Sequence, residues 1–257
     1  MRVCMTKRMR QLGFTLLELL VTVSVMSLLV GILLPSLDKA RELARSSVCQ
    51  TNLRVLASAN NLYQSEQGGC YAPGAANFLH NRDRWFGHRS GSTGPFSEGG
   101  PLTPYFGAAA ARRCPSFEEY LVGFEAGCGG YGYNNNFVGQ FRRPPGYALK
   151  SDRTGNRMEA FESPSRTVAF ADAAMVDGGI IEYSFAESPR WPDFDAQPRP
   201  SIHFRHLKQA NVAWLDGHVS SETMEFSGPV VDYYQGNPAD YLVGWFGPDN
   251  NELFDCR

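Results

Sequence analysis

Charge is scarce in this chain: 19% of its 257 residues are Asp, Glu, Lys or Arg, and 24 basic against 26 acidic residues leave a net charge of −2. Such a balance excludes a polycationic nucleic-acid binder, whose phosphate contacts need clustered Lys and Arg. A hydrophobic content of 43% with 12% aromatics excludes a disordered chain, because there is enough apolar surface to bury a core. The familiar catalytic signatures are lacking as well. There is no Gly-x-Ser-x-Gly, no phosphate loop, no His-Glu-x-x-His and no cysteine beside a recognisable base motif, so no enzyme is expected and no catalytic residue is assigned. Most of the 26 Gly and 16 Pro fall after Gly68, which excludes a helical bundle there and predicts short strands joined by loops.

The amino end is different. Arg2, Lys7, Arg8 and Arg10 are not balanced by any acid in the first thirteen residues, and residues 19–37 carry no charge at all. A run of this length spans a bilayer, which needs about 20 apolar helical residues. The basic residues hold the amino terminus in the cytoplasm and send everything after Leu37 across the membrane. No small-x-small cleavage site of the secretory kind follows the apolar run. A plain anchor leaves Glu18 unexplained, since a carboxylate at the edge of a lipid-embedded helix needs a partner or a task.

The stretch Arg10-Gln11-Leu12-Gly13-Phe14-Thr15-Leu16-Leu17-Glu18 resembles the leader-peptidase site of type IV prepilins and type II secretion pseudopilins. The resemblance implies a basic leader at residues 1–13, cleavage between Gly13 and Phe14 by a prepilin peptidase, and methylation of the new amino group of Phe14. It also implies that Glu18 pairs with the amino terminus of a neighbouring subunit and that an inner-membrane assembly platform is a partner, alongside copies of the chain or other pilin-like subunits; nucleic acid is not expected as one. Loss of the leader leaves 20 basic against 26 acidic residues, a net charge of −6. The fold implied is α+β and pilin-like: a long amino-terminal helix over residues 14–67, with 14–37 as membrane and assembly segment, packed on an antiparallel β-rich head at 68–257. The mature head is then periplasmic, and the assembled filament lies at the cell surface.

Along the helix, Leu37, Ala40, Ala44, Val48, Val55, Ala59 and Leu62 recur at steps of three, four or seven and predict the buried face. Pro35 predicts a kink or local melting near Gly31, and Gly68-Gly69 predicts the helix end. In the head, 167–171, 180–185, 210–215 and 218–221 read as strands, with Asp216-Gly217 as a two-residue type I′ turn. Gly91 to Pro104 and Pro189 to Pro200 read as loops, and Tyr131-Gly-Tyr-Asn-Asn-Asn136 as turn chemistry flanked by aromatics.

His206, nine residues, then Asp216-Gly217 resembles the His-x9-Asp-Gly element of prepilin-like proteins abundant in planctomycetes. Cys49-Gln-Thr-Asn-Leu53, Cys114-Pro-Ser116, Tyr131-Gly-Tyr-Asn134, Ser163-Pro-Ser165 and Val168-Ala-Phe-Ala-Asp172 agree with that context. His203, His206, Asp216 and His218 are candidate ligands of a zinc-like ion; hairpin chemistry accounts for the Asp-Gly pair without one. Asp249-Asn-Asn-Glu252 has the composition of a calcium loop, and equally of a solvated turn. Trp191, Trp214 and Trp245 are expected in the core rather than on a glycan. Cys4 leaves with the leader, and Cys49, Cys70, Cys114, Cys128 and Cys256 remain, with Cys49–Cys114 or Cys114–Cys128 as expected bridges and reduced buried thiols as the other reading. The expected role is a structural filament subunit; the alternative is a membrane-anchored periplasmic binding or metal-binding protein that does not polymerise.

Overall fold

The computed structural model describes residues 14–92, 94–106, 113–117, 123–143, 148–193, 196–228 and 236–256. Helix α1 covers Leu16–Glu66. Among the described residues there follow thirteen short strands: β1 Asp83–Arg84, β2 Gly87–His88, β3 Ser97–Glu98, β4 Tyr131–Tyr133, β5 Phe141–Arg143, β6 Ala148–Ser151, β7 Val168–Asp172, β8 Met175–Val176, β9 Ile180–Ile181, β10 Ile202–His203, β11 Gln209–Trp214, β12 Val219–Thr223 and β13 Val243–Gly244. The α+β expectation holds, and the strand pairs are antiparallel. The chain divides into two units, residues 1–41 and 42–257.

In the first unit the helix is continuous through Pro35, so the expected melting near Gly31 does not occur. Proline takes away one N–H of the ladder, and the helix carries that loss without a break. Side chains from Phe14 to Leu37 are exposed in the single chain.

The second unit is organised by a four-stranded sheet in the order β12-β11-β7-β4. Alternation along β11 sends Asn211 and Ala213 toward α1, while Ala210, Val212 and Trp214 enter a second core with Phe204, Trp245, Phe246 and Phe254. Strand β4 was expected as a turn; Tyr131 and Tyr133 are instead buried strand residues on either side of Gly132, where a Cβ would stand 2.5 Å from the Phe185 carbonyl carbon. Strands β7, β11 and β12 lie within two residues of their expected bounds, whereas of 180–185 only β9 is strand. The loop expected at 91–104 holds β3 and a 3-10 turn, Thr103–Tyr105.

The buried helix face differs from the apolar periodicity. Cys49, Asn52, Leu53, Leu56, Ala57, Ala59 and Asn60 are buried, while Val48 and Leu62 are half exposed. Two asparagines occupy the core because β4 presents hydroxyls to them: Asn52 Nδ2 donates to Tyr131 Oη at 3.0 Å and Asn60 Nδ2 to Tyr133 Oη at 3.1 Å. The helix ends as expected: Gly68 and Gly69 have φ of 61° and 89°, and the Gly69 N–H returns to the Gln64 carbonyl at 3.0 Å.

Candidate functional site

Gly13 and the rest of the expected leader lie outside the described residues. Directly after them, Phe14 is 72% exposed, and Thr15 and Glu18 form a capping box. The Thr15 N–H and hydroxyl donate to Glu18 Oε2 at 2.9 and 2.7 Å, and the Glu18 N–H returns to Thr15 Oγ1 at 3.2 Å. The exposed Glu18 carboxylate thus sits at the positive end of a helix long and apolar enough to cross a membrane.

His206 and Asp216-Gly217 close opposite ends of β11. At the first end, Leu207 and Lys208 both have positive φ, and His206 and Gln209 exchange two backbone hydrogen bonds of 3.0 Å: a two-residue hairpin turn. At the second, the loop is Leu215-Asp216-Gly217, with Gly217 N–H on the Trp214 carbonyl and the Trp214 N–H on the His218 carbonyl. Only Gly217 of the three has positive φ, at 94°, so this is a three-residue loop and not the expected type I′ turn. Asp216 Oδ1 accepts from the His218 backbone at 3.0 Å and meets the exposed His218 ring at 2.6 Å. Six residues of strand, about 20 Å, separate this turn from His206. The proposed His206, Asp216 and His218 ligand set is therefore not assembled, and the nine-residue spacing measures one strand plus its turns. His203 is buried beside the Phe117 ring, and burial with the neighbouring Arg205 charge holds it well below its usual pKa.

His206 instead joins a different cluster. Cys49 of α1, Cys114, Asp172 at the end of β7 and His206 are all buried, and one ligand atom from each lies within 4.8 Å of the others. Cys49 Sγ is 2.9 Å from Asp172 Oδ1; His206 Nε2 is 3.4 Å from Cys114 Sγ and 3.4 Å from Asp172 Oδ2. Arg205 spans the group, donating to Asp172 Oδ1 at 2.6 Å, to Cys114 Sγ at 3.2 Å and to the Gly130 carbonyl at 2.6 Å. Glu42 Oε1 accepts from His206 Nδ1 at 2.7 Å and from the Ser116 hydroxyl at 2.8 Å. The Asn211 N–H satisfies Asp172 Oδ2 at 2.8 Å.

The electrostatics of the two thiols diverge. Burial, then the Cys114 and Asp172 neighbours, push Cys49 well up. Burial opposes ionisation of Cys114 too, but hydrogen bonding from Cys49 and the Arg205 and His206 charges pull it down to about 3. Burial raises Asp172 against the pull of Arg205, and His206 is raised because Cys114 and Asp172 outweigh its burial. The site can thus hold a thiolate, a carboxylate and an imidazole around one point in a low-dielectric interior.

All five described cysteines are free thiols, so neither expected bridge is formed; Cys49 and Cys114 are neighbours within the cluster. Sequence reasoning had flagged Cys114 and His206 separately and missed Asp172, Arg205 and Glu42 as their companions. Three of the segments singled out in the sequence, around Cys49, Cys114 and Asp172, converge here with His206. Asp249 and Glu252 each face an arginine, Arg190 at 3.2 Å and Arg166 at 3.5 Å. Trp214 and Trp245 are buried as expected, but Trp191 is 42% exposed and lines a cleft of about 580 Å³ with Phe78, Tyr183 and Phe185.

Residues 8–34 match the model of the prokaryotic N-terminal methylation motif. No curated protein and no solved structure matches the chain. The match covers 27 of the 257 residues and makes the amino end, where the capping carboxylate opens the apolar helix, similar to that of prepilin-like proteins.

Proposed function

We propose that the protein is the precursor of a pilin-like structural subunit, of a type IV pilus or a secretion pseudopilus, cut between Gly13 and Phe14 by a prepilin peptidase and methylated at Phe14. The observation that carries this reading is the methylation motif at residues 8–34 running into an apolar helix with no inward packing at residues 14–37. In the membrane, lipid covers that surface. Once extracted, it is covered by copies of itself or by related subunits, each buried Leu or Val side chain contributing about 1.5–3 kcal/mol.

Glu18 supplies the register. Its carboxylate caps its own helix in the single chain; in the filament it pairs with the methylated amino group of Phe14 on a neighbour, a desolvated charge gaining its partner. The basic leader keeps the amino end cytoplasmic and the head on the far side of the inner membrane. The role is structural rather than catalytic.

Intact mass and amino-terminal sequencing of the protein from its native membrane and from the sheared surface fraction test the reading. The expected product begins at N-methylated Phe14 and is present in the sheared fraction. A chain that still begins at Met1 in both overturns it. Glu18→Ala is expected to be processed normally and to be missing from the sheared fraction.

A further inference from the structure

We propose that Cys49, Cys114, Asp172 and His206 form a tetrahedral binding site for one zinc ion inside the head. The inference is independent of the prepilin reading, and its ligand set shares only His206 with the one expected from the sequence.

Geometry comes first. Zinc holds sulfur at about 2.3 Å and nitrogen or oxygen at about 2.0–2.2 Å, which places ligand atoms of a tetrahedron roughly 3.3–3.8 Å apart. Cys49 Sγ lies 2.9 Å from Asp172 Oδ1, and His206 Nε2 lies 3.4 Å from Asp172 Oδ2 and 3.4 Å from Cys114 Sγ, within a cluster no wider than 4.8 Å, so closing the tetrahedron on one carboxylate oxygen needs shifts of up to about one ångström. Two sulfurs, one nitrogen and one oxygen are a zinc set; calcium and magnesium would demand oxygens.

The histidine points the same way. Its Nδ1 is 2.7 Å from the Glu42 carboxylate, an acceptor only, so Nδ1 carries a proton. Its Nε2 then faces Cys114 Sγ and Asp172 Oδ2, two electron-rich atoms at 3.4 Å. A cation placed among these three atoms takes the place that a proton on Nε2 otherwise fills, and it can hold all three at once. A carboxylate holding the far nitrogen of a ligating imidazole is the usual support of a metal-bound histidine. Arg205 gives the thiolate and the carboxylate the hydrogen bonds they keep when ligated, at 3.2 and 2.6 Å.

Charge closes the case. Two thiolates and Asp172 carry three negative charges; a divalent ion and Arg205 carry three positive ones, so the buried group is neutral. On binding, the protons held by the cluster, that of the Cys49 thiol and any on His206 Nε2, pass to solvent, and no group changes oxidation state. The four ligands come from α1, from the segment before Ser116, from the end of β7 and from the turn before β11, so one ion ties the helix to the central sheet.

The test uses the full-length protein extracted from membranes in detergent, with zinc measured by mass spectrometry of the elements and thiols by alkylation under denaturing, non-reducing conditions. About one zinc per chain is expected, with Cys49 and Cys114 alkylated and unbridged. His206→Ala is expected to lose the metal. Since that variant can also lose its fold, Glu42→Gln serves beside it: it should keep the native circular dichroism and bind zinc roughly 10–100-fold more weakly in a chelator competition. A Cys49–Cys114 disulfide with no zinc overturns the proposal. So does zinc content unchanged in a folded His206→Ala chain.

Discussion

Glu42 and His206 stand 164 residues apart and are joined by a 2.7 Å hydrogen bond from the imidazole Nδ1 to the carboxylate. The contact anchors the start of the His-x9-Asp-Gly element to the helix. Glu42→Ala removes the acceptor of both His206 and the Ser116 hydroxyl. The expected loss is about 1.5–3 kcal/mol, seen as a drop of several degrees in the thermal midpoint followed by near-ultraviolet circular dichroism.

Asp172 and Arg205 are a buried ion pair at 2.6 Å. Arg205→Met takes away the nearest counter-charge of the buried Asp172 and is expected to cost about 3–5 kcal/mol in urea unfolding. Adding Asp172→Asn is expected to recover part of that loss, because the stranded charge is then gone; strictly additive losses would show that the two residues do not act as a pair.

Gly132 lies in β4 where a Cβ would meet the Phe185 backbone at 2.5 Å and the Ala173 Cβ at 2.6 Å. Neither neighbour is the end of a flexible side chain. Gly132→Ala is expected to destabilise the head by roughly 1–3 kcal/mol or more, read as an earlier urea midpoint with an unchanged slope.

Burial raises the Tyr71 hydroxyl to about 12 from 10.0. The unfolded chain therefore loses this proton first, so the contribution of Tyr71 is complete below pH 10 and falls as pH rises from 10 to 12, by about 2–3 kcal/mol. Tyr71→Phe is expected to flatten that part of the stability profile when urea midpoints are compared across the range.

Asp216→Ala separates the two ways of reading the element. The residue holds an exposed turn through the His218 N–H at 3.0 Å. Its loss is expected to cost on the order of 0.5–1 kcal/mol and to leave the metal content of the head unchanged. A drop in bound zinc would place the ion at the turn.

What the amino-acid sequence determined by itself is local. The uncharged run, Glu18 at its edge and the glycines that stop α1 are legible because each acts within a turn or two of helix. Strands β7, β11 and β12 were legible for the same reason, since alternation is a property of neighbours. β4 was not: Gly132 and the asparagines after it carry the composition of a turn, and only pairing with β7 makes them strand. The buried helix face was misplaced because Asn52 and Asn60 are polar by sequence and become core residues only where Tyr131 and Tyr133 offer hydroxyls.

The head's candidate site belongs wholly to the tertiary structure. His206 and Asp216 look like partners along the chain, yet an extended strand drives them apart, and the register of β11 on β7 sets the Asn211 amide on Asp172 while the turn before β11 brings His206 to the same carboxylate. Cys49 and Cys114 reach that point from the helix and a loop. No spacing rule encodes such a meeting, because the distances that matter are between elements, and packing rather than sequence separation sets them.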